Sequence, residues 1–272
     1  MITLMYITNK PNIAKIAENS GVDRIWIDLE VNGKEERQKN MNTVKSKHKI
    51  EDISKVKSVL RNSELIVRVN PIYSDSRREI DEVIKQGADI VMLPFFKTLD
   101  EVTTFIKLVN KRARVCLLCE TPEAVSCIDS ILNLEGIDEI HIGLNDLHLG
   151  YKKKFMFELL SDGTVDYLCE KFAKKGIKYG FGGIARVGEG TLPAEKIIIE
   201  HYRLGSSIAI LSRSFCNTDI IEDEDEIESI FKKGLKDIRE VELLAQNYDN
   251  EKFNENKNYI KQKVNEIVEK MN

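Results

Sequence analysis

Two acidic residues, Glu120 and Asp146, lie at the ends of two consecutive apolar runs in the sequence. If these runs are neighbouring parallel strands, the two carboxylates can converge on one point although they are far apart along the chain. Carboxylates with no cysteine or histidine cluster nearby favour Mg²⁺ or Mn²⁺, and water and substrate oxygens complete the coordination. The competing interpretation is that each carboxylate caps the helix after its strand.

A basic residue, Arg68, follows the apolar run ELIV and lies two residues before Asn70. Its planar guanidinium can hold a carboxylate through two parallel hydrogen bonds, which would suit an acidic substrate. The competing interpretation is a salt bridge to Asp28 or Glu30, which close the preceding apolar run and could neutralise Arg68 without any substrate.

The elements that must position these residues are eight short apolar runs separated by amphipathic helical stretches, a pattern typical of parallel βα units. The runs begin at Ile2, Arg24, Glu64, Asp89, Arg114, Glu139, Lys178 and Ser206. Eight such units predict an α/β fold of the (β/α)₈ TIM-barrel type, with a doubly wound open sheet as the alternative. In a TIM barrel the reactive groups lie at the C-terminal ends of the strands, where the residues above are found.

We assign residues 1–247 to a barrel catalytic domain and residues 248–272 to a C-terminal amphipathic helix. In that helix Ile260, Val264, Ile267 and Met271 form one apolar stripe, which could pack on the barrel or on another subunit. The long polar segment Val31–Ile50 is expected to be a lid over the site or a surface loop. The loop ARVGEGTLP, from Ala185 to Pro193, could bind phosphate or be a simple tight connection.

Composition narrows the class of protein. The 272 residues are 42% hydrophobic, which suits one large domain, and 41 basic against 45 acidic residues leave no surplus for a nucleic-acid surface. We expect a cytoplasmic protein without a membrane segment, because neither an export signal nor a long apolar stretch is present. Cys116 and Cys119 form a CxxC inside one run, where alternation sends them to opposite faces of a strand, so a shared metal is not expected.

Five sequence motifs resemble the HpcH/HpaI aldolase and citrate lyase β-subunit family of the phosphoenolpyruvate/pyruvate-binding barrels. The motifs are DLE at 28–30, VRVNP at 67–71, GADIVMLP at 87–94, ETPEAV at 120–125 and GLNDLHLG at 143–150. The last two, in that order, are the most specific, and the resemblance extends over most of the chain.

This resemblance implies a metal-dependent carbon–carbon lyase, a class II-type aldolase, acting next to a pyruvate-like 2-oxo acid through a metal-stabilised enolate. Glu120 and Asp146 would bind the metal, and Arg68 would contact the oxo acid and its developing charge. Asn70, Gly143 and Asn145 are expected to bind substrate. An aldehyde or an acyl-CoA would be the second substrate, and the protein would be a homo-oligomer.

Two positions depart from the family pattern. Val31 stands where the aldolase branch has a catalytic histidine, so a metal-bound water, Glu30, His48 or His148 would have to act as the base. Phe95 stands where the citrate-lyase-like branch often has a lysine. The alternatives are therefore an acyl-CoA lyase of the citramalyl or malyl type, or a barrel that binds an oxo acid but has lost turnover.

Overall fold

Eight parallel strands close into a barrel in the computed structural model, which describes residues 1–32 and 48–271. The strands are β1 (Thr3–Ile7), β2 (Arg24–Asp28), β3 (Glu64–Arg68), β4 (Ile90–Leu93), β5 (Arg114–Cys119), β6 (Glu139–Ile142), β7 (Lys178–Ile184) and β8 (Ile208–Leu211). Each strand pairs with the next, and β8 pairs with β1. The predicted TIM barrel is confirmed, and the open sheet is excluded because the ring of strands has no edge.

Twelve helices lie within the described ranges and surround the strands. They are α1 (Pro11–Ser20), α2 (Ile50–Lys57), α3 (Ser76–Lys85), α4 (Leu99–Val109), α5 (Pro122–Ser126), α6 (Ile128–Ile131), α7 (Leu144–Gly150), α8 (Glu158–Ser161), α9 (Thr164–Lys175), α10 (Ala194–Arg203), α11 (Glu224–Ala245) and α12 (Asn250–Lys270). Across these ranges no helix is both long enough and apolar enough to cross a membrane. Most of the polar segment Val31–Ile50, proposed as a lid or a loop, lies outside the described residues.

Alternate residues of each strand face the barrel interior, as the two-residue period of a strand requires. Cys116 packs inside the barrel with Trp26 and Met92, whereas Cys119 packs in the layer between strands and helices. The predicted separation of the CxxC cysteines is therefore confirmed, and both thiols are free and buried.

Four charged residues at the start of their strands fill the N-terminal end of the barrel. Arg24, only 3% exposed, donates two hydrogen bonds of 2.5 and 2.8 Å to Glu139 and one of 2.9 Å to Glu64. Arg114 binds the same two glutamates. Two arginines and two glutamates balance in charge, so this layer closes the barrel without calling for a ligand.

The C-terminal helix α12 packs on the barrel to which it belongs, against α8 and α10. Ile260 and Val264 are buried there, and the buried Asn256 donates hydrogen bonds to the Lys196 carbonyl and to Glu200. Met271, at the end of the predicted apolar stripe, is 51% exposed. Burial of the middle of the stripe therefore comes from contacts within the chain.

Two buried histidines lie near β7. His201 on α10 stacks on Phe181 with ring centroids 3.9 Å apart, and its Nδ1 is 2.7 Å from the Ser206 hydroxyl. Burial lowers the pKa of His141 on β6 to about 4 and that of His201 to about 3, where the neighbouring His141 adds to the effect. Both imidazoles are therefore neutral in the folded protein at neutral pH.

Replacing Arg24 with Met should lower the free energy of unfolding by about 3–5 kcal/mol, because Glu139 would keep its buried charge and lose its two-point partner. Urea unfolding at pH 7 measures the change. R112M is the matched control, since Arg112 pairs with Asp81 at the surface and its loss should cost under about 1 kcal/mol. Equal effects of the two substitutions would contradict this account.

The free energy of unfolding should fall as the pH drops from about 6.5 towards 3–4. In this range the unfolded chain binds protons at His141 and His201, whereas the folded chain does not. Above the ordinary histidine pKa both residues are neutral in the folded and in the unfolded chain, so they no longer lower the free energy of unfolding. Each histidine adds a slope of at most about 1.4 kcal/mol per pH unit. Urea unfolding of H201Q across this range should give a shallower slope than the parent, and equal slopes would show that His201 does not contribute.

Candidate active site at the barrel mouth

Arg68, the last residue of β3, is held by two carboxylates from the end of β2. Its Nε and Nη2 donate hydrogen bonds of 2.8 and 2.9 Å to the two oxygens of Asp28, and Nη1 lies 3.3 Å from Glu30. The guanidinium carbon lies 5.3 Å from the centre of the Trp26 ring. Burial by itself would lower the pKa of the Arg68 guanidinium. The negative charges of Asp28 and Glu30 have the larger combined effect and raise that pKa above its usual value. Arg68 is therefore a fixed cation at the barrel mouth.

Glu120 directly follows β5 and is only 3% exposed. Its Oε1 accepts a hydrogen bond of 3.0 Å from the backbone N–H of Phe95, which follows β4. Phe95 has a φ of 48°, which lies in the left-handed region that a bulky residue rarely adopts. The backbone that donates this hydrogen bond is therefore strained. A carboxylate from one strand is thus positioned by the backbone after its neighbour.

The backbone of Gly143, between β6 and α7, packs closely against Glu120. A Cβ at position 143 would lie 2.6 Å from Glu120 Oε2 and 2.7 Å from Glu120 Cβ, distances that real atoms do not tolerate. Gly143, predicted as a substrate-binding residue, is therefore placed so that the absence of its side chain makes room for a carboxylate.

Asp146, in the first turn of α7, is half-buried and interacts electrostatically with Glu120. Burial is the main cause that raises the pKa of Glu120 well above its usual value, and the negative charge of Asp146 is the next. Arg68 opposes this shift and Glu30 adds to it. The two predicted metal ligands are thus close enough to repel each other.

Four carboxylates lie at the mouth. Those of Asp28, Glu30 and Glu120 interact with the guanidinium of Arg68, and that of Asp146 interacts with Glu120. Residues 1–32 and 48–271 contain no group of three or more His, Cys, Asp or Glu side chains placed to hold a metal. Mg²⁺ is commonly bound by only one or two carboxylates, with water and substrate completing the shell. Glu120 and Asp146 therefore fit a hard divalent cation.

The structure does not bring His148 and Asp146 to the same face of α7. Asp146 and His148 are two positions apart in the helix, which corresponds to a rotation of about 200° around its axis. The two side chains therefore point to opposite faces. The buried His148 lies with its Nδ1 3.1 Å from the Leu144 carbonyl of the same helix. Asn145 lies in the first turn of α7 and is half-buried.

Asn70, predicted to bind substrate, connects two loops of the mouth. Its Oδ1 accepts hydrogen bonds of 2.9 Å from the backbone N–H groups of Val31 and Asn32, and its Nδ2 donates one of 2.7 Å to Glu79. These contacts hold the backbone that follows Glu30. Val31, at the position of the family histidine, is 59% exposed.

His48 reaches the mouth from the end of the long polar segment. Its Nδ1 accepts a 3.0 Å hydrogen bond from the backbone N–H of Asp28, so in the neutral ring the proton must be on Nε2. His48 also lines two cavities, of about 480 and 570 Å³, on either side of it. Of the four histidines, His48 is the one that accepts a hydrogen bond from the backbone of Asp28, the residue that pairs with Arg68.

The glycine-rich loop after β7 already binds a carboxylate of the helix that follows it. Glu195, in the first turn of α10, accepts a 3.2 Å hydrogen bond from the backbone N–H of Gly188, and Arg186 pairs with Glu189 in the same loop. A carboxylate at this position competes with an incoming phosphate, so the tight connection is the better interpretation.

Sequence reasoning missed the backbone N–H of Phe95 as a partner of Glu120. A backbone donor has no side-chain signature, and the only signal was the sequence Pro94–Phe95 at the end of a strand. From the sequence, Asp28 was considered only as an alternative partner that would neutralise Arg68. In the structure Asp28 also orients the guanidinium, because it accepts two hydrogen bonds from it.

Comparison with known proteins places this geometry in context. The family model for HpcH/HpaI aldolase/citrate lyase matches residues 2–162. The chain is similar to the crystal structure of an HpcH/HpaI aldolase from Desulfitobacterium hafniense DCB-2, with 16% identity and a TM-score of 0.61 over 88% of this chain and 93% of that one. It is also similar to the citrate synthase SbnG, with 18% identity and a TM-score of 0.59 over 78% and 85% of the two chains. At these identities the structures support the fold alone, and curated proteins give no significant match.

Replacing Gly143 with Ala should weaken Mn²⁺ binding tenfold or more, because the new methyl group would displace the Glu120 carboxylate. Gly143 has a negative φ, so the substitution introduces a clash without backbone strain. Calorimetric titration with Mn²⁺ measures the affinity. G183A is the control, since its Cβ would meet the nearest atom at an ordinary 3.4 Å. Equal affinities for G143A and the parent would show that Glu120 does not bind the ion.

Proposed function

The chain belongs to the HpcH/HpaI aldolase/citrate lyase family, and from this we propose that it is a divalent-metal-dependent lyase that forms or cleaves a carbon–carbon bond next to a pyruvate-like 2-oxo acid. The single observation that carries the proposal is that the buried Glu120 interacts with both Asp146 and Arg68 at the barrel mouth. Two neighbouring carboxylates can hold a divalent cation, and an oxo acid can contact both that cation and the guanidinium.

Glu120 and Asp146 would hold Mg²⁺ or Mn²⁺. The bound ion would supply Lewis-acid stabilisation of the enolate that forms when a pyruvate-like acid loses a proton or its carbon–carbon bond breaks. The electrostatics of the protein support this assignment. Burial, and after it the charge of Asp146, raises the pKa of Glu120, and a cation held between the two carboxylates would favour their ionised forms.

Arg68 would stabilise the negative charge that develops on the substrate. Its contacts with Asp28 and Glu30 use at most three of the five N–H donors of the guanidinium, so donors remain for substrate oxygens. Asp28 fixes the plane of the guanidinium before substrate arrives, and a pre-oriented donor needs no reorganisation during the reaction. Asn145 and Gly143, beside Asp146, would border the bound oxo acid.

Proton transfer would be divided between Glu30 and His48. Glu30 is a buried carboxylate at the mouth, and we assign to it the proton that leaves the methyl group of the oxo acid. His48 carries its proton on Nε2 because Nδ1 accepts from Asp28, so it can donate this proton to the oxygen of the acceptor aldehyde. His148 has no part in this proposal, because it lies on the opposite face of α7 from Asp146.

Exchange of the methyl protons of pyruvate in D₂O tests this function without requiring the natural acceptor. We expect exchange in the presence of Mn²⁺, its loss on addition of EDTA, and a drop of at least about 100-fold in E120Q and D146N. E123Q is the matched control, because Glu123 is three residues away, 52% exposed, and paired with Lys97. Exchange that needs neither the metal nor Glu120 would overturn the proposal.

The role of Arg68 has a separate test. R68K keeps the charge but loses the planar contact with Asp28, and we expect the exchange rate to fall by about 10²–10³-fold, the range seen when an oxyanion donor is removed. R112K, at the surface, should exchange at the rate of the parent. If oxalate and Mn²⁺ bind but neither exchange nor cleavage of any 4-hydroxy-2-oxo acid or citramalyl thioester occurs, the chain is a binding protein and not a lyase.

A further inference from the structure

Glu79, in the first turn of α3, is a buried carboxylate that has no part in the mechanism above. Only 7% of it is exposed, and its Oε1 accepts two hydrogen bonds from Asn70, one of 3.2 Å from the backbone N–H and one of 2.7 Å from Nδ2. Ile80 and Val83 of the same helix are fully buried in the core. The helix therefore holds this carboxylate in a fixed place beside Asn70.

The contacts of Asn70 determine which way its side-chain amide faces. Because Glu79 Oε1 accepts the backbone N–H of Asn70, it is an acceptor, and the amide group that approaches it must be the NH₂. At the other end of the amide, the backbone N–H groups of Val31 and Asn32 are donors and require an oxygen. Both ends specify the same orientation, and a flipped amide would lose all three side-chain hydrogen bonds.

The backbone that Asn70 holds directly follows Glu30. The side chain of Val31 is 59% exposed, so it buries little surface that could fix this stretch. On the other side of Glu30, the N–H of Leu29 donates a 2.9 Å hydrogen bond to the carbonyl of Arg68. Glu30 is thus held between a strand contact before it and the Asn70 amide after it.

We propose that Glu79 is a positioning residue of the lyase: it orients the Asn70 amide, which fixes the backbone after Glu30 and thereby the carboxylate that takes the proton of the oxo acid. This role rests on the proposed function, because it serves the proton transfer assigned to Glu30. Glu79 acts through Asn70 and does not itself touch the substrate. A misplacement of about 1 Å at the reacting groups can cost about 100-fold in rate, so an indirect contact of this kind can control turnover.

A purely structural role for Glu79 has a different signature. Loss of a buried hydrogen-bond acceptor would then lower the free energy of unfolding and leave the kcat of the folded protein unchanged. A positioning role lowers kcat instead. The affinity for Mn²⁺ and the KM for pyruvate should be retained, because Glu120 and Asp146 lie after β5 and in α7, away from the α3 contact.

Replacement of Glu79 with Leu removes both acceptor oxygens at similar side-chain size. We expect E79L to lower the kcat of pyruvate proton exchange by at least about tenfold, with the KM for pyruvate and the Kd for Mn²⁺ within about threefold of the parent values. E79Q keeps a carbonyl oxygen that can accept both hydrogen bonds, so its kcat should stay within about threefold of the parent. An unchanged kcat in E79L, or equal losses in E79L and E79Q, would overturn the assignment.

E82L is the matched control, because Glu82 lies on the same helix, is 36% exposed, and pairs with Lys85. It should exchange pyruvate protons at the parent rate. N70D tests the same link from the other side and serves if E79L does not fold. It keeps an oxygen for the loop N–H groups but places a second carboxylate against Glu79, so it should lose kcat as E79L does. A parent-like kcat in N70D would contradict the proposal.

Hydrogen exchange of the backbone amides tests the link without turnover. In E79L and N70D the amides of Val31 and Asn32 should exchange with D₂O at least about tenfold faster than in the parent, and in E79Q at the parent rate. The amide of Leu29 is the internal control, because its bond to the end of β3 does not involve Glu79. Parent-like protection of Val31 and Asn32 in both E79L and N70D would show that Glu79 does not hold this backbone.

The two proposals fail in different ways. If the parent exchanges pyruvate protons and E79L does so equally well, only the positioning role of Glu79 is lost. If the parent does not exchange pyruvate protons, the lyase function fails, and amide exchange at Val31 and Asn32 still decides whether Glu79 holds the loop after β2.

Discussion

The candidate site depends on one electrostatic constraint, the burial of several carboxylates around a single guanidinium. Glu120 is almost fully buried beside Asp146, and Arg68 is shared with Asp28 and Glu30. Ionised carboxylates so close together are costly, because like charges repel most strongly where water is excluded. A divalent cation would relieve that cost, which is why we propose a metal and an oxo acid as the ligands of this site.

The two ends of the barrel use charge in opposite ways. At the N-terminal end, Arg24 and Arg114 neutralise Glu64 and Glu139 in a closed network, which suits a purely structural role. At the C-terminal end the carboxylates of Asp28, Glu30 and Glu120 are grouped around one guanidinium, that of Arg68, and Asp146 lies next to Glu120. The N-terminal network is a closed set of ion pairs, whereas this group lies where the fold places its reactive groups.

Much of the fold could be predicted from the sequence, because strands and helices leave recognisable patterns among residues that are close together in the chain. The alternation of apolar runs and amphipathic stretches gave all eight strands, and the two-residue period correctly separated Cys116 from Cys119. The likeness of ETPEAV and GLNDLHLG to a known family singled out Glu120 and Asp146, whose proximity now rests on their electrostatic interaction. Residue type was least informative where the backbone acts, as with the Phe95 N–H and the space left by Gly143.

The sequence by itself determined the barrel and the types of residue at its mouth, because strand period and strand ends depend on near neighbours in the chain. Only the tertiary structure decided which of these residues meet. It paired Arg68 with Asp28, used the Asn70 amide to hold the loop after β2, and turned His48 towards the mouth and His148 away from Asp146. These outcomes depend on strand stagger, helix phase and competition among several possible partners, and no stretch of neighbouring residues contains that information.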